Sequence, residues 1–555
     1  MLVLGCPRSV IMAIAGEDCV EPDVPIRAFL GHRHHTWANT FHSRPERYFQ
    51  PHTLNELQKI VNLARKSRRR IVTVGCGHSP SDLTCTSQWM INLDRYDDII
   101  DIDNKSGKIV MQAGIRLHYL KSQLREHGLA MPNYGSIDHQ SIAGAISTGT
   151  HGSSAKHGLI SQSVSGLKLL LANGQVVDCG PKQNTDLFRA ALVSLGALGI
   201  IVEITFQAVP SFNIEWTQNL HPLSELLSQW DHHLWTAQEF TRIWWMPYMK
   251  KGIKWSANKT DKSVTTSPSN GWSATLGYYA YQSMLYAAQW FPSLLPEIEK
   301  FVGMFQYGIS GDASQTGVDE DRTGLLMNCM YSQFVNEWAI PLHKGPEAIS
   351  RISSWLNHDD PSSGIPFPSK GIYVHAPIEV RVADTTKVSP RPFLDNTAVD
   401  SPTLYLNFTL YRPFGADPPC RERYYEACEW LMKEMGGKPH WAKNFTTVSK
   451  DDFHTMYPDM ERWLKARNTV DPDGMFVGDW HQRHILPIEG DARGLAFAEQ
   501  QEEVKAAKDG GLDWRGAQNN KPPSPQASHA SEESFDMVQG AEAERSVLLH
   551  HDKEE

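Results

Sequence analysis

At 555 residues the chain is long enough for two or more hydrophobic cores, and its 41% apolar content and 17 tryptophans exclude a chain disordered throughout. The formal net charge of −10 gives no support for nucleic-acid binding. The basic tract 65–70 is too short to change that and reads as the solvated end of a helix.

Residues 1–36 read as a variable leader that ends in His32, Arg33, His34 and His35. Its first stretch is apolar but interrupted by Arg8 and has no basic start, so it is not expected to be a secretory signal. The eight cysteines show no Cys-x-x-Cys pair and no metal-ligand spacing. A reducing compartment, no structural disulfides and no metal site are therefore expected, and the sequons at Asn104, Asn258, Asn407 and Asn444 are expected to be idle.

Regular patterning begins at Trp37. Thr53 is an N-cap candidate with Glu56 at the capping-box position, and Leu54, Leu57, Ile60, Val61 and Ala64 follow at helical spacing. Ile71–Val74 reads as a buried strand. The loop after it, Gly75-Cys-Gly-His-Ser-Pro-Ser-Asp82, can turn backbone N–H groups towards an anion such as a diphosphate. Strands are expected at 90–93, 99–103 and 108–113, and a helix at 117–127. A second run rich in small residues, 133–154, can lie close to a flat ligand: its Gly135, Ser136, Gly144, Ser147, Gly149 and Gly152 leave room, and Ile142, Ala143, Ala145 and Ile146 argue for burial. Strands at 166–171 and 176–177 flank an Asn173-Gly174 turn, and a helix from Asp186, a Gly196/Gly199 turn and a buried strand follow. This alternation reads as α+β. No Gly-x-Gly-x-x-Gly opens a helix with an acidic residue downstream, which argues against a doubly wound dinucleotide fold.

The loop 74–82, the run Ser141-Ile-Ala-Gly-Ala-Ile-Ser-Thr-Gly-Thr-His-Gly152 and Leu195-Gly-Ala-Leu-Gly-Ile-Ile201 resemble the FAD domain of vanillyl-alcohol-oxidase-type flavoproteins. Within them the chain resembles the sugar-1,4-lactone oxidase family of L-gulonolactone and D-arabinono-1,4-lactone oxidases, from about Trp37 to Leu486. Asn336-Glu-Trp-Ala-Ile-Pro341, Glu379-Val-Arg381, Tyr411-Arg-Pro413, Gly437-Lys-Pro-His-Trp-Ala-Lys443 and Asp471-Pro-Asp-Gly-Met-Phe476 carry that likeness in order. It implies a two-subdomain FAD-binding domain over 37–210 and an α+β substrate, or cap, domain with an antiparallel sheet over 211–487. A disordered tail rich in Gln, Glu, Ala, Ser and Pro is expected over 488–555.

The resemblance also implies the site. His78 matches the residue that, in covalent members, bonds to the flavin. Gly75, Cys76, Gly77, Ser79, Pro80, Gly135, Ser141, Gly144, Ser147, Thr148, Gly149, His151, Gly199 and Ile201 would hold FAD. Glu379 and Arg381 stand two apart on an expected strand, so both face one side, where a carboxylate can accept a proton while a guanidinium steadies a developing alkoxide. Lys443 and Ser136 match substrate-contacting residues. Glycine at position 135 leaves room for O2 where related cytochrome c-linked dehydrogenases carry a bulkier residue. The implied reaction is oxidation of an aldono-1,4-lactone, D-arabinono-1,4-lactone first, to an ascorbate-type product (dehydro-D-arabinono-1,4-lactone, or D-erythroascorbate) and H2O2. L-gulono- or L-galactono-1,4-lactone, an alditol, or cytochrome c as acceptor are the enzymatic alternatives. A membrane-associated binding protein without turnover is the non-enzymatic one.

Residues 263–296 carry no charge and include Trp272, Tyr278, Tyr279, Tyr281, Tyr286, Trp290 and Phe291. Gln282, Gln289 and Pro292 interrupt them, which fits peripheral or monotopic attachment to a membrane surface better than a span. A buried pair of cap-domain helices is the competing reading. The family likeness implies a mitochondrial membrane, with the protein on its cytoplasmic face.

Overall fold

The Thr53 hydroxyl accepts the Glu56 N–H at 3.2 Å, and the Glu56 carboxylate accepts the Thr53 N–H at 3.0 Å. This reciprocal cap, worth about 1 kcal/mol, starts helix α1 (Leu54–Lys66), which buries Leu57, Ile60, Val61 and Ala64. The computed structural model describes residues 21–265, 274–307, 314–327, 331–375 and 377–486. The first 20 residues of the leader, part of the aromatic stretch and the tail from residue 487 lie outside the described residues.

Helix α1 is flanked in sequence by a small parallel sheet, β1 (Arg47–Phe49), β2 (Ile71–Val74) and β3 (Trp89–Asn92), in the order β1-β3-β2. A second sheet is built from β4 (Ile99–Asp103), β5 (Lys108–Gln112), β6 (Val164–Leu170), β7 (Val176–Cys179) and β8 (Ile200–Gln207). Its order is β7-β6-β8-β5-β4, antiparallel at every pairing. Helices α2 (Leu117–Glu126), α3 (Ile142–Ser147) and α4 (Thr185–Ala191) complete this half. Helices α1, α2 and α4 and strands β2 to β8 lie within a few residues of where the sequence pattern puts them, whereas β1 and α3 are not expected from it. Antiparallel pairing in the larger of the two sheets is what separates this half from a doubly wound fold.

The second half is organised by an antiparallel sheet, eight-stranded among the described residues. Its strands are β9 (Asn213–Pro222), β10 (Phe240–Met246), β11 (Lys251–Thr260), β12 (Gln315–Glu320), β13 (Gln333–Pro341), β14 (Ile378–Ala383), β15 (Thr403–Tyr411) and β16 (Lys438–Pro439). The order is β12-β9-β11-β10-β14-β15-β13-β16. Register decides what this sheet presents. One rung aligns Glu337, Asn407, Glu379 and Trp244; the next aligns Ala339, Tyr405, Arg381 and Arg242. Side chains within a rung share a face, so this sheet carries charged and amide groups where a core sheet would carry aliphatics.

The last described segment crosses back to the first half. The Ile71 N–H donates to the Met475 carbonyl at 2.8 Å, and Arg70 pairs with Asp479 at 2.6 Å. Helix α5 (Ala274–Ala287) and helix α6 (Leu295–Tyr307) form the aromatic stretch and its continuation. Leu285, Ala288 and Leu295 are buried, whereas Tyr279, Trp290, Phe291, Phe301 and Phe305 are exposed. Among the described residues no helix is long and apolar enough to cross a membrane.

Candidate active site

The loop that follows β2 packs directly on the N-terminus of α3. A Cβ built on Gly75 would lie 2.1 Å from the Ser141 hydroxyl and 3.1 Å from its Cβ, so a larger residue would force the serine to move. Gly77 takes φ +68°, a left-handed conformation that closes the turn. Between the two loops opens a cavity lined by Gly75, Cys76, Gly77, His78 and Ser79 on one side and by Ser141, Gly144, Ser147, Thr148, Gly199 and Ile201 on the other.

The chemistry of the lining fits FAD. Backbone N–H groups and small hydroxyls surround the cavity, and the buried Nδ1 of His78 has no hydrogen-bond partner. The His78 ring lies 5.3 Å from Trp37. Burial, helped by His139 and Arg116, pushes its pKa down to about 3, so the imidazole is neutral at physiological pH.

Pro80, Gly135, Gly149 and His151 stand apart from that cavity. The Pro80 carbonyl accepts Thr40 Oγ1 at 2.8 Å and Asn444 Nδ2 at 3.2 Å, and the Ser81 hydroxyl donates to the Ala442 carbonyl at 3.1 Å. These bonds tie the cofactor loop to the segment that carries Lys443. A Cβ on Gly135 would lie 2.9 Å from Thr150 Cγ2, and one on Gly149 would meet Asn396 Oδ1 at 2.9 Å. The run 141–154 thus divides: its first half lines the cavity, and its second half joins the two halves of the protein. Ser154 N–H donates to the Val382 carbonyl at 2.8 Å, beside the active-site strand. His151 stacks on Tyr405 with ring centroids 3.5 Å apart and approaches Glu337 at 3.5 Å.

The residues expected to handle substrate do converge. The Ser136 hydroxyl is 3.4 Å from Glu379 Oε1 and 3.3 Å from Arg381 Nη1. Arg381 Nε lies 3.4 Å from Glu379 Oε2, and Asn407 Nδ2 donates to that same oxygen at 3.3 Å. Lys443 reaches this group through Glu337, at 3.8 Å. Partial burial and Arg381 hold the Lys443 ammonium below its ordinary range, against the upward pull of Glu337. The cluster can bind a polyhydroxy ligand and hold or accept a proton, with two cations beside it to steady an oxygen anion.

Sequence reasoning missed Asn407, Glu337 and the C-terminal lining residues Phe476 and His481. Phe476 falls in the motif Asp471–Phe476 and Glu337 in Asn336–Pro341, but neither motif marks a site role. His481 donates through Nε2 to the Leu195 carbonyl at 2.8 Å while Nδ1 accepts the Gly478 N–H at 3.0 Å, so it anchors the cavity wall. A period-two reading of β15 would have put Asn407 on the face of Tyr405, but only register places it against Glu379. His151, Glu337 and His440 have ligand atoms within 4.8 Å of one another. Arg381 and Lys443 already occupy the Glu337 carboxylate, which disfavours a metal cation there.

The description "D-arabinono-1,4-lactone oxidase" belongs to a family model that matches residues 204–484, and an FAD-binding-domain model matches residues 45–180. The Yarrowia lipolytica D-arabinono-1,4-lactone oxidase is 39% identical, covering 82% of this chain and 98% of its own. This chain belongs to the D-arabinono-1,4-lactone oxidase family. Its Saccharomyces cerevisiae member is 36% identical, covering 80% of this chain and 94% of its own. A Neurospora crassa relative, named provisionally for the same activity, is 48% identical over 89% of this chain and 94% of its own. A solved B. sterolicum cholesterol oxidase shares the fold at TM-score 0.65 and 14% identity, covering 84% of this chain and 99% of its own.

Proposed function

We propose that this protein is an FAD-dependent oxidase that converts an aldono-1,4-lactone, D-arabinono-1,4-lactone first, and O2 into a 2-keto lactone and H2O2. The keto lactone tautomerises to the enediol of an ascorbate-type product. The observation that carries this reading is the convergence of Ser136, Glu379, Arg381 and Asn407 on one patch of the cap sheet. Bound FAD supplies the two-electron acceptor for hydrogen leaving C2. Glu379 accepts the hydroxyl proton. Arg381 and Lys443 steady the oxygen as it gains negative charge, and Ser136 and Asn407 orient the ring hydroxyls. Releasing H2O2 from purified protein on addition of D-arabinono-1,4-lactone tests the reading. A panel with L-gulono- and L-galactono-1,4-lactone and xylitol, with cytochrome c as competing acceptor, ranks the substrates and acceptors. Absence of turnover with every member would overturn it.

FAD is held covalently through His78 in this proposal. Supporting the link are the neutral imidazole and its unpartnered, buried Nδ1 at the cavity. The protein is further proposed to sit peripherally on the cytoplasmic face of a mitochondrial membrane. Supporting the contact are the exposed Tyr279, Trp290, Phe291, Phe301 and Phe305 of the α5–α6 pair, aromatic groups suited to a lipid interface. Co-flotation with liposomes, lost on replacing Trp290 and Phe291 by Ser, is the corresponding test.

A further inference from the structure

Glu337 lies on β13 with a side chain 0% exposed, yet no step of the proposed reaction uses it. Its Oε1 accepts Arg381 Nη2 in a close ion pair and lies 3.5 Å from His151 Nε2. Its Oε2 faces Lys443 Nζ at 3.8 Å and has no hydrogen-bond donor among the described residues. Burying a carboxylate this deeply is unfavourable unless cations offset it.

The register explains how one carboxylate reaches both cations. Arg381 stands on β14, and its guanidinium extends across the intervening β15 to Glu337 on β13. Lys443 follows β16, which pairs with β13, and the His440 N–H donates to the Glu337 carbonyl at 2.8 Å. Glu337 is therefore fixed in the backbone frame that carries Lys443, while its side chain holds Arg381.

The other groups around Glu337 supply no charge at neutral pH. His151 faces two acceptors, the Gly152 carbonyl at 2.9 Å from Nδ1 and Glu337 at 3.5 Å from Nε2, and the shorter contact assigns the neutral ring's proton to Nδ1. Its Nε2 then faces Glu337 as a bare lone pair. Burial depresses the pKa of both His151 and His440, and His440 Nδ1 accepts the Ala442 N–H at 3.1 Å. The Tyr405 hydroxyl is buried and its pKa lies well above the ordinary value. Glu379, the nearest second carboxylate, meets Arg381 only through Nε, at 3.4 Å. Arg381 and Lys443 are the permanent cations that neutralise Glu337, with His151 beside its Oε1 at 3.5 Å.

We infer that Glu337 is the positioning residue of the lactone site: it clamps Arg381, sustains the charge of Lys443, and so leaves Glu379 as the carboxylate available to substrate. This rests on the lactone-oxidase reading for its kinetic consequence but not for its electrostatic one. The two carboxylates that flank Asn407 in one rung divide the work, Glu337 holding cations and Glu379 facing the ligand.

The test uses full-length flavin-loaded protein, wild type against Glu337→Gln and Glu337→Asp. Misplacing a clamped guanidinium costs on the order of 100-fold in rate, so Glu337→Gln is expected to lose about that much kcat with a smaller change in KM. Its alkaline limb of kcat/KM moves about one pH unit lower, because Lys443 loses the stronger of the two carboxylates, Glu337 and Glu379, that raise its pKa. Glu337→Asp keeps the charge and the position of that limb while losing part of kcat. A readout independent of turnover is competitive labelling of Lys443 with acetic anhydride across pH, read by mass spectrometry. Its titration is expected about one unit lower in Glu337→Gln and near wild type in Glu337→Asp. An unshifted Lys443 titration in Glu337→Gln overturns the inference. If wild type oxidises no lactone but the labelling shift appears, the functional reading fails and the electrostatic role stands. If Glu337→Gln does not fold, Glu337→Asp carries the test, and either a full wild-type kcat there or a Lys443 titration about one unit lower overturns the inference.

Discussion

Asn407 sits directly across from Glu379 in the cap sheet, and its Nδ2 donates to Glu379 Oε2 at 3.3 Å while its Oδ1 accepts the Thr409 hydroxyl at 2.9 Å. The amide is thus oriented by a neighbour on its own strand, with its nitrogen aimed at the proposed base. Glu379→Gln removes the proton acceptor and is expected to lower kcat by about 100- to 10,000-fold. Asn407→Leu keeps the carboxylate but frees its orientation, with an expected loss of about 10- to 100-fold, since a hydrogen bond to a charged group contributes about 1.5–3 kcal/mol. Anaerobic flavin reduction by lactone, followed at the flavin absorbance, measures both. Wild-type reduction rates in Glu379→Gln would remove Glu379 from the reaction.

His78 sits at a cavity wall rather than in the polar cluster, so its loss separates cofactor attachment from substrate handling. Acid precipitation of wild-type protein is expected to leave the yellow colour in the pellet. His78→Ala is expected to release free FAD into the supernatant while keeping the cavity-lining glycines and Ser141 in place. A wild-type supernatant containing all the FAD would rule out the link.

Much of this arrangement could be read along the chain because it is local. The capping box at Thr53 and Glu56, the strand Ile71–Val74 and the period-two strand carrying Glu379 and Arg381 each depend on neighbours a few residues away. The motif around Glu337 was visible, but its purpose was not. Its partners, His151, Arg381 and Lys443, are brought together by the order β14-β15-β13-β16, which no pattern within one strand encodes. Phe476 and His481 escaped for the same reason: the chain returns from the cap to wall the cofactor cavity. The aromatic stretch was ambiguous because hydrophobic side chains with polar tips suit a buried helix pair and an interface equally. In the fold Leu285 and Leu295 are buried and Trp290 and Phe291 exposed, so burial in a helix pair accounts for only part of the stretch.

Gly135 offers a prediction about the electron acceptor. A methyl group at this position would press on Thr150 Cγ2 at 2.9 Å, a distance that requires the threonine side chain to shift. Gly135→Ala is expected to slow reoxidation by O2 more than reduction by lactone, because it narrows the space that the family likeness assigns to oxygen. Separate measurement of the two half-reactions checks this. Equal slowing of both would mark Gly135 as a packing residue only.

Glu299, on α6, ties the exposed aromatic pair to the body of the cap. Its Oε1 accepts the backbone N–H groups of Tyr248 and Met249, each at 2.8 Å, while Oε2 is buried without a partner. Burial pushes its pKa from 4.5 up to about 7, against the opposing pull of those N–H groups and Lys300. An acid raised in the folded state binds its proton more tightly there than in the unfolded chain. The stability it contributes is therefore complete below about pH 4.5 and is lost as pH rises through about 7. The full swing is about 3 kcal/mol, felt first as opening of α6. Amide exchange over 295–305 is expected to be faster at pH 8 than at pH 6 after correction for intrinsic rates. Glu299→Gln keeps the hydrogen-bond acceptor without the charge and should flatten that difference, with slower exchange than wild type at pH 8. Identical pH dependence in the two proteins would show that another group controls the docking of α6.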